Sequence, residues 1–274
     1  MKIEKSKIGA IFALDTECAC LDKAAAAGFS CAQPSAWNLD LNNLGHARLL
    51  KKRSAETGVR VSSVWAGVSG PHEWDFTRGP LTLGIVPREY RAQRVKELCA
   101  WAEYAAEAGA PAIVTHSGFL PENMTDPEYP EVVETLRVIA ERCHALGVGF
   151  WFETGQETPI VLLRYIEAIG MPNLGINLDP ANLMMYGKGN PTDAVRVFGE
   201  FVKALHIKDG DYPTSGMNLG REYKVGEGAV DFPALIAKLF SFGYAGDFII
   251  ERETENNEKD IADTVGYLSE IDCR

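Results

Sequence analysis

The stretch VGFWFETGQETPIVLLRYIEAIGMPNLGINLDPANLMMYGKGNPTDAVRVFGEFVKALHIKDG, residues 148–210, decides the fold of this chain. It opens on a short apolar run, Val148 to Glu153, that reads as a strand buried on both faces and ends on a carboxylate. A segment with helical spacing follows from Ile160 to Ala168, and the cycle then repeats. Leu174 to Asp179 reads as a strand, Asp193 to Phe201 as a helix, and Val202 to Ile207 as a strand again. Short apolar runs separated by longer stretches of 3.6-residue periodicity are the mark of alternating β and α units.

The same rhythm extends in both directions. Upstream, Ile8 to Ala13, Phe29 to Gln33, Val59 to Trp65 and Pro111 to His116 read as strands. Between them lie helices from Leu21 to Ala27, Leu44 to Thr57, Arg88 to Ala108, and one carrying Val132, Leu136, Ala140 and Cys143, closed by Gly28, Gly58, Gly109 and Gly147. Glycine at these places suits a helix C-terminus. Downstream, Asp231 caps a helix with Leu235, Ile236, Leu239 and Phe240 on one face; Phe248 to Glu251 is the last strand and Ile261 to Ile271 the last helix. Eight strands and eight helices in unbroken alternation imply a parallel sheet closed on itself. The expected fold is therefore α/β, a single (β/α)8 TIM barrel over residues 1–274, whose length suits one barrel of about 250 residues. An open doubly wound sheet is the alternative, but the first strand is not followed by G-x-G-x-x-G.

Composition narrows the partners. The net charge of −11 comes without any basic stripe, which argues against nucleic acid. The six cysteines (Cys18, Cys20, Cys31, Cys99, Cys143 and Cys273) have no disulfide-like framework, so free thiols in a reducing compartment are expected. Residues Met1 to Lys7 are charged, with no apolar signal core, and no apolar run reaches the roughly 18 residues of a membrane span. A cytoplasmic protein without a membrane partner is the expectation; homo-oligomerisation stays open.

The chemistry lies at strand ends. Glu153, Asp179, His206 and Glu251 end four successive predicted strands. In a barrel the C-terminal strand ends meet at one mouth, so these side chains are expected to converge there. Each alone is more often a surface carboxylate or a hydrogen-bonded histidine. Together, three buried carboxylates repel one another unless a cation sits between them. Oxygen ligands with one imidazole favour one Mn2+ or Mg2+ ion, with Co2+ or Zn2+ as alternatives.

"GFWFETGQETP", "NLGINLDPAN", "VKALHIKDG" and "GEGAVDFPALIAKLFSFGYAGDFIIERE" resemble the xylose isomerase-like TIM-barrel superfamily, and more narrowly its sugar phosphate isomerase/epimerase group with the ketose 3-epimerases. The likeness covers nearly the whole chain and is densest over residues 148–253. It implies a divalent metal held by Glu153, Asp179, His206 and Glu251, with Glu153 and Glu251 as the catalytic acid/base pair on opposite faces of a sugar or sugar phosphate. Chelation of a carbonyl and its neighbouring hydroxyl would acidify the adjacent C–H and stabilise an enediolate. The two glutamates would then need pKa values set apart by their environments.

This chain departs from the epimerase pattern at three positions. Asn182 stands where a histidine usually follows the metal aspartate; Pro159 stands at the usual second glutamate, with Glu157 two residues earlier; Tyr212 replaces an arginine. The superfamily's DNA-repair branch needs several histidines for three zinc ions. The five here (His46, His72, His116, His144 and His206), with Asn182 at a ligand position and no basic surface, do not suit it.

Secondary substrate-binding candidates are Trp65 and His116 at strand ends, Glu157, Asn182, and Lys208 and Asp209 beside His206. Lys208 and Asp209 equally suit a structural ion pair, and Trp65 and His116 a core or rim role. Arg221 lies in a long loop between Asp209 and Gly226 that reads as a lid; it suits an anionic group or simple exposure. Three functions follow. The first is an isomerase or epimerase of a ketose or sugar phosphate. The second is a dehydratase of a keto-sugar or keto-inositol on the same metal site. The third is a non-catalytic sugar-binding or assembly subunit.

Overall fold

The computed structural model describes residues 3–253 and 257–271. Its strands in chain order are β1 (Ile8–Ala13), β2 (Cys31–Ala36), β3 (Arg60–Val61), β4 (Val64–Ala66), β5 (Ala112–Thr115), β6 (Gly149–Glu153), β7 (Leu174–Leu178), β8 (Val202–Ile207), β9 (Asp209–Gly210), β10 (Glu222–Tyr223) and β11 (Asp247–Ile250). β1 pairs in parallel with β2 on one side and β11 on the other, which closes the sheet into a barrel. β3 and β4 form one interrupted stave, so the barrel has eight; β9 and β10 make a separate antiparallel hairpin at its mouth.

The helices are α1 (Ala19–Ala26), α2 (Leu44–Thr57), α3 (Gly79–Thr82), α4 (Arg88–Ala108), α5 (Glu128–Ala145), α6 (Pro159–Ile169), α7 (Pro180–Met185), α8 (Pro191–Phe198), α9 (Phe232–Ser241) and α10 (Asn257–Glu270). α3 and α7 are short turns in mouth loops, and the other eight are the expected units. Their ends follow local chemistry. Asn43 accepts from His46 N to open α2, and Gly58 closes it at φ 73°. Asp231 accepts from Ala234 N at 3.0 Å, the expected cap of α9.

Several boundaries move, among them the start of the last helix, at Asn257 rather than Ile261. The second strand begins at Cys31 rather than Phe29, because Phe29 N bonds back to Ala24 O and Gly28 N to Ala25 O, ending α1. It also runs on through Pro34 to Ala36. The third stave breaks at Ser62 and Ser63: Ser62 Oγ and N both reach Ala32 O, and Ser63 Oγ accepts from the Gln33 amide at 2.8 Å. The helix expected to reach Phe201 ends at Phe198 and tightens into a 3-10 turn over Gly199–Phe201. The described cysteines are unpaired, and Cys273 lies outside the described residues. Among the described residues, no helix is long and apolar enough to cross a membrane.

Candidate functional site

Glu153 ends β6, Asp179 follows β7, His206 lies on β8 and Glu251 follows β11, so neighbouring staves deliver all four to one place. One ligand atom from each lies within 4.8 Å of the others, and all four side chains are buried. Ligands of a single ion at about 2.0–2.2 Å can stand no more than about 4.4 Å apart, so a small contraction would suffice. Two local bonds hold the carboxylates in place. Thr154 Oγ bonds both Asp179 O and Asp179 N at 2.8 Å, tying the end of β6 to that of β7. Asp179 Oδ1 also accepts from Asn182 N at 2.7 Å, so the aspartate caps α7 and keeps Oδ2 for the cluster.

The imidazole of His206 tests the fit of a cation. Its Nε2 lies 2.7 Å from Gln33 Oε1, an amide oxygen that can only accept, so Nε2 carries the proton. Nδ1 then faces Glu251 Oε2 at 2.7 Å and both Glu153 Oε1 and Asp179 Oδ2 at 3.4 Å. Glu251 Oε2 is off the axis of any hydrogen bond and has no partner. Burial opposes a charged ring, yet Glu153 and Glu251 outweigh it and raise the His206 pKa well above the usual imidazole range; a divalent ion at the shared focus would take the place of the Nδ1 proton. A histidine that donates its other ring N–H to a fixed acceptor is the usual arrangement around bound metals.

The charges support one another. Burial disfavours the Glu153 carboxylate, yet His116 and His206 outweigh it and hold the group well below its ordinary range. Burial likewise opposes ionisation of Glu251, but Lys208 and His206 bring it to about 2. Both glutamates are thus held low by the positive groups around them. Burial instead pushes Asp179 up to about 6 and Glu157 up to about 7.

Residues 21–271 match the xylose isomerase-like TIM barrel family. The chain belongs to that family. A xylose isomerase domain protein from Planctomyces limnophilus is 32% identical, with 98% of both chains covered and a TM-score of 0.92. The apo form of 3-keto-D-glucoside 4-epimerase from E. coli is similar in fold at 20% identity, covering 96% of this chain and 99% of that one, TM-score 0.73. Inosose dehydratase of Geobacillus kaustophilus (strain HTA426) is 27% identical over 194 residues, 60% of this chain and 62% of that protein. The match spans less than two thirds of the curated relatives' length.

Around the cluster of this xylose isomerase-like barrel, Trp65 Nε1 donates to Glu153 Oε2. His116 Nε2 stands 3.4 Å from Glu153 Oε1, and Asn182 Nδ2 at the same distance from that oxygen. Glu157 is buried, and neither of its oxygens has a partner. Lys208 is buried between Glu251 (3.3 Å) and Glu253 (2.8 Å), so the ion-pair alternative describes its present contacts. The Asp209 carboxylate is turned onto the backbone N–H groups of Gly226, Gly228 and Val230 as well as its own neighbour Gly210, which favours the structural alternative. With both oxygens so used, it anchors the loop and has no capacity left for a substrate hydroxyl. Arg221 is exposed at the base of the β9–β10 hairpin, where its backbone N–H bonds Asp211.

Several residues at the mouth were not legible as site residues. Gln33 lies inside the relocated second strand, so only the true register exposes its link to His206. Gln156 and Tyr186 are buried with unpartnered polar atoms. Gln156 lies three residues beyond β6, its sole signal, and Tyr186 follows the short α7, which periodicity does not announce. Trp37 and Trp74 come from loops after β2 and β4, where no periodicity points inward.

Proposed function

We propose that this chain is a divalent-metal-dependent isomerase or epimerase of a sugar or sugar phosphate, with Glu153, Asp179, His206 and Glu251 holding one ion. The observation that carries the reading is the His206 ring, locked by Gln33 so that Nδ1 looks into three carboxylates. Mn2+ or Mg2+ suits this hard, oxygen-rich set best. When bound, the ion supplies charge stabilisation next to a carbonyl as its α C–H loses a proton. Glu153 and Glu251 stand on staves separated by β7 and β8, a placement that suits one taking a proton and the other returning one to the opposite face. Lys208 keeps Glu251 ionised, and Trp65 orients Glu153 through its indole N–H. Trp65, His116, Asn182 and Glu157 border the space a bound sugar would occupy.

One observation favours a second reading, dehydration of a keto-sugar or keto-inositol. Glu157, buried and pushed up to about 7, is suited to protonate a departing hydroxyl after a glutamate has removed the neighbouring proton. The products are then an enone and water. The likeness to inosose dehydratase points the same way.

Metal analysis followed by solvent-deuterium exchange into a panel of ketoses and inososes tests both. Exchange with recovery of an epimer or isomer supports the first reading, and loss of water from the product supports the second. A metal-loaded protein that exchanges no proton in any substrate overturns both and leaves a sugar-binding role.

A further inference from the structure

Beyond the metal cluster the mouth carries a surface that the proposed chemistry does not use. Trp37 follows β2 directly and Trp74 lies in the loop after β4, so both stand at the C-terminal ends of barrel strands. They are 44% and 41% exposed, the two most open tryptophans among the described residues. Each lies against a residue that touches Glu153. The Trp37 ring is 4.7 Å from that of Trp65, and the Trp74 ring 5.1 Å from that of His116. Both exposed rings are therefore displaced from the cluster by one aromatic layer. A ligand that reaches them from the cluster must extend beyond its first ring.

The surface is built rigidly. Arg94 is wholly buried, and its guanidinium donates to the carbonyls of Ser69, Pro71, Thr82 and Gly84, clamping both ends of the loop that presents Trp74. Gly84, at φ +66°, lies so close to Ser117 O that an added Cβ would stand 2.0 Å from it, pinning that loop against the segment after β5. A Cβ on Gly67 would come within 3.1 Å of the Trp37 ring, so this glycine makes room for it. His72 sits edge-on to Trp37 at 5.0 Å, and its Nε2, shielded from solvent, has no partner. Fixed, exposed apolar rings suit the C–H face of a saccharide ring.

We propose that Trp37 and Trp74 form a second-ring subsite, and that the substrate class is a glycoside whose outer ring stacks there while its inner ring faces the carboxylate cluster. This rests on the carbohydrate reading above. The outer ring is a second sugar or an aryl group, and the two are separated by the choice of ligand.

The test is calorimetric titration of the Mn2+-loaded protein with glucose, maltose, cellobiose, trehalose and phenyl glucoside, at constant metal content. At least one two-ring ligand should bind about tenfold more tightly than glucose, as expected for one added stacking contact. A disaccharide in that role identifies a sugar outer ring, and phenyl glucoside alone an aryl one. Trp37→Ala and Trp74→Ala should each lower the ratio of glycoside to glucose affinity several-fold, with Trp37→Phe recovering part of the loss. The proposal is overturned if no two-ring ligand outbinds glucose, or if the ratio is the same in both alanine variants. It is equally overturned if the variants act by dissociating an oligomer in light scattering, which would make the rings a subunit interface. If glucose and every glycoside fail to bind, the subsite proposal is overturned, while the isomerase reading stands or falls on the deuterium exchange above.

Discussion

The mouth of the barrel has two unlike halves. From β6 round to β11 it is built of charge: Glu153, Asp179, His206, Lys208 and Glu251 all stand on or immediately after strands. From β2 to β5 it is built of rings: Trp37, Trp65, His72, Trp74 and His116, four of them outside the strands. Glu153 is the seam, touching Trp65 and His116 on one side and His206 on the other. Charges that must share an ion need the stiffness of strand ends, because a shift of a few tenths of an ångström spoils ligation. Rings that recognise a surface tolerate loops, provided a buried group such as Arg94 clamps them.

The largest break expected in this contrast is Asp179→Asn. The amide can still cap α7 through its oxygen, so the fold should survive. Removing one anion from the cluster should weaken metal binding by about 100-fold or more and take activity with it. Dialysis against Mn2+ with circular dichroism as control measures both; unchanged metal affinity would refute the ligand assignment. Glu153→Gln and Glu251→Gln come next. Each should slow epimer interconversion by about 100- to 10,000-fold. One of the two should still wash solvent deuterium into substrate, since abstraction and return on a single face survive. If both variants retain metal and both interconvert epimers, the paired-carboxylate scheme is wrong and Lys208 becomes the better base.

Gln33→Leu sharpens the comparison from the aromatic half. The variant keeps all four proposed ligands but releases the His206 Nε2–H, and metal affinity should fall about 10-fold. An unchanged metal titration would mean that the tautomer is set elsewhere. A separate effect, on stability rather than on metal binding, concerns Glu157. Its pKa rises from the model-compound value of 4.5 to about 7 on folding, through burial. Between those pH values the folded chain holds a proton that the unfolded chain has lost. Stability should therefore decline as pH rises from 4.5 to 7 and level off above, by about 3 kcal/mol in all. Glu157→Gln should flatten that decline in urea melts at pH 5 and pH 8. An equal decline in the variant would locate the effect in other groups.

Much of the charged half was legible because its residues end apolar runs whose length and rhythm are local properties. Glu153 closes FWFE and Asp179 closes GINLD, and a strand-end rule suffices to bring them to one mouth. The aromatic half was largely opaque. Trp65 and His116 could be named from strand ends, but Trp37, His72 and Trp74 lie in irregular segments whose path depends on distant anchors. Asp209 was open between a substrate contact and a structural ion pair. Adjacency to His206 could not choose between the two, because a turn almost twenty residues downstream claims its carboxylate.

Alternation of strand and helix, the identity of the four clustered residues and the absence of a basic surface are written in spacing and composition, since each depends on neighbours along the chain. Closure decided the rest. Only when β1 pairs with both β2 and β11 does Gln33 meet His206 across the barrel, fixing which nitrogen faces the carboxylates. The same closure sets Trp65 against Glu153 and leaves Trp37 and Trp74 open beside it. Contacts between residues far apart in sequence have no local periodicity to announce them, and they exist only once the backbone has paid the entropy of bringing its ends together.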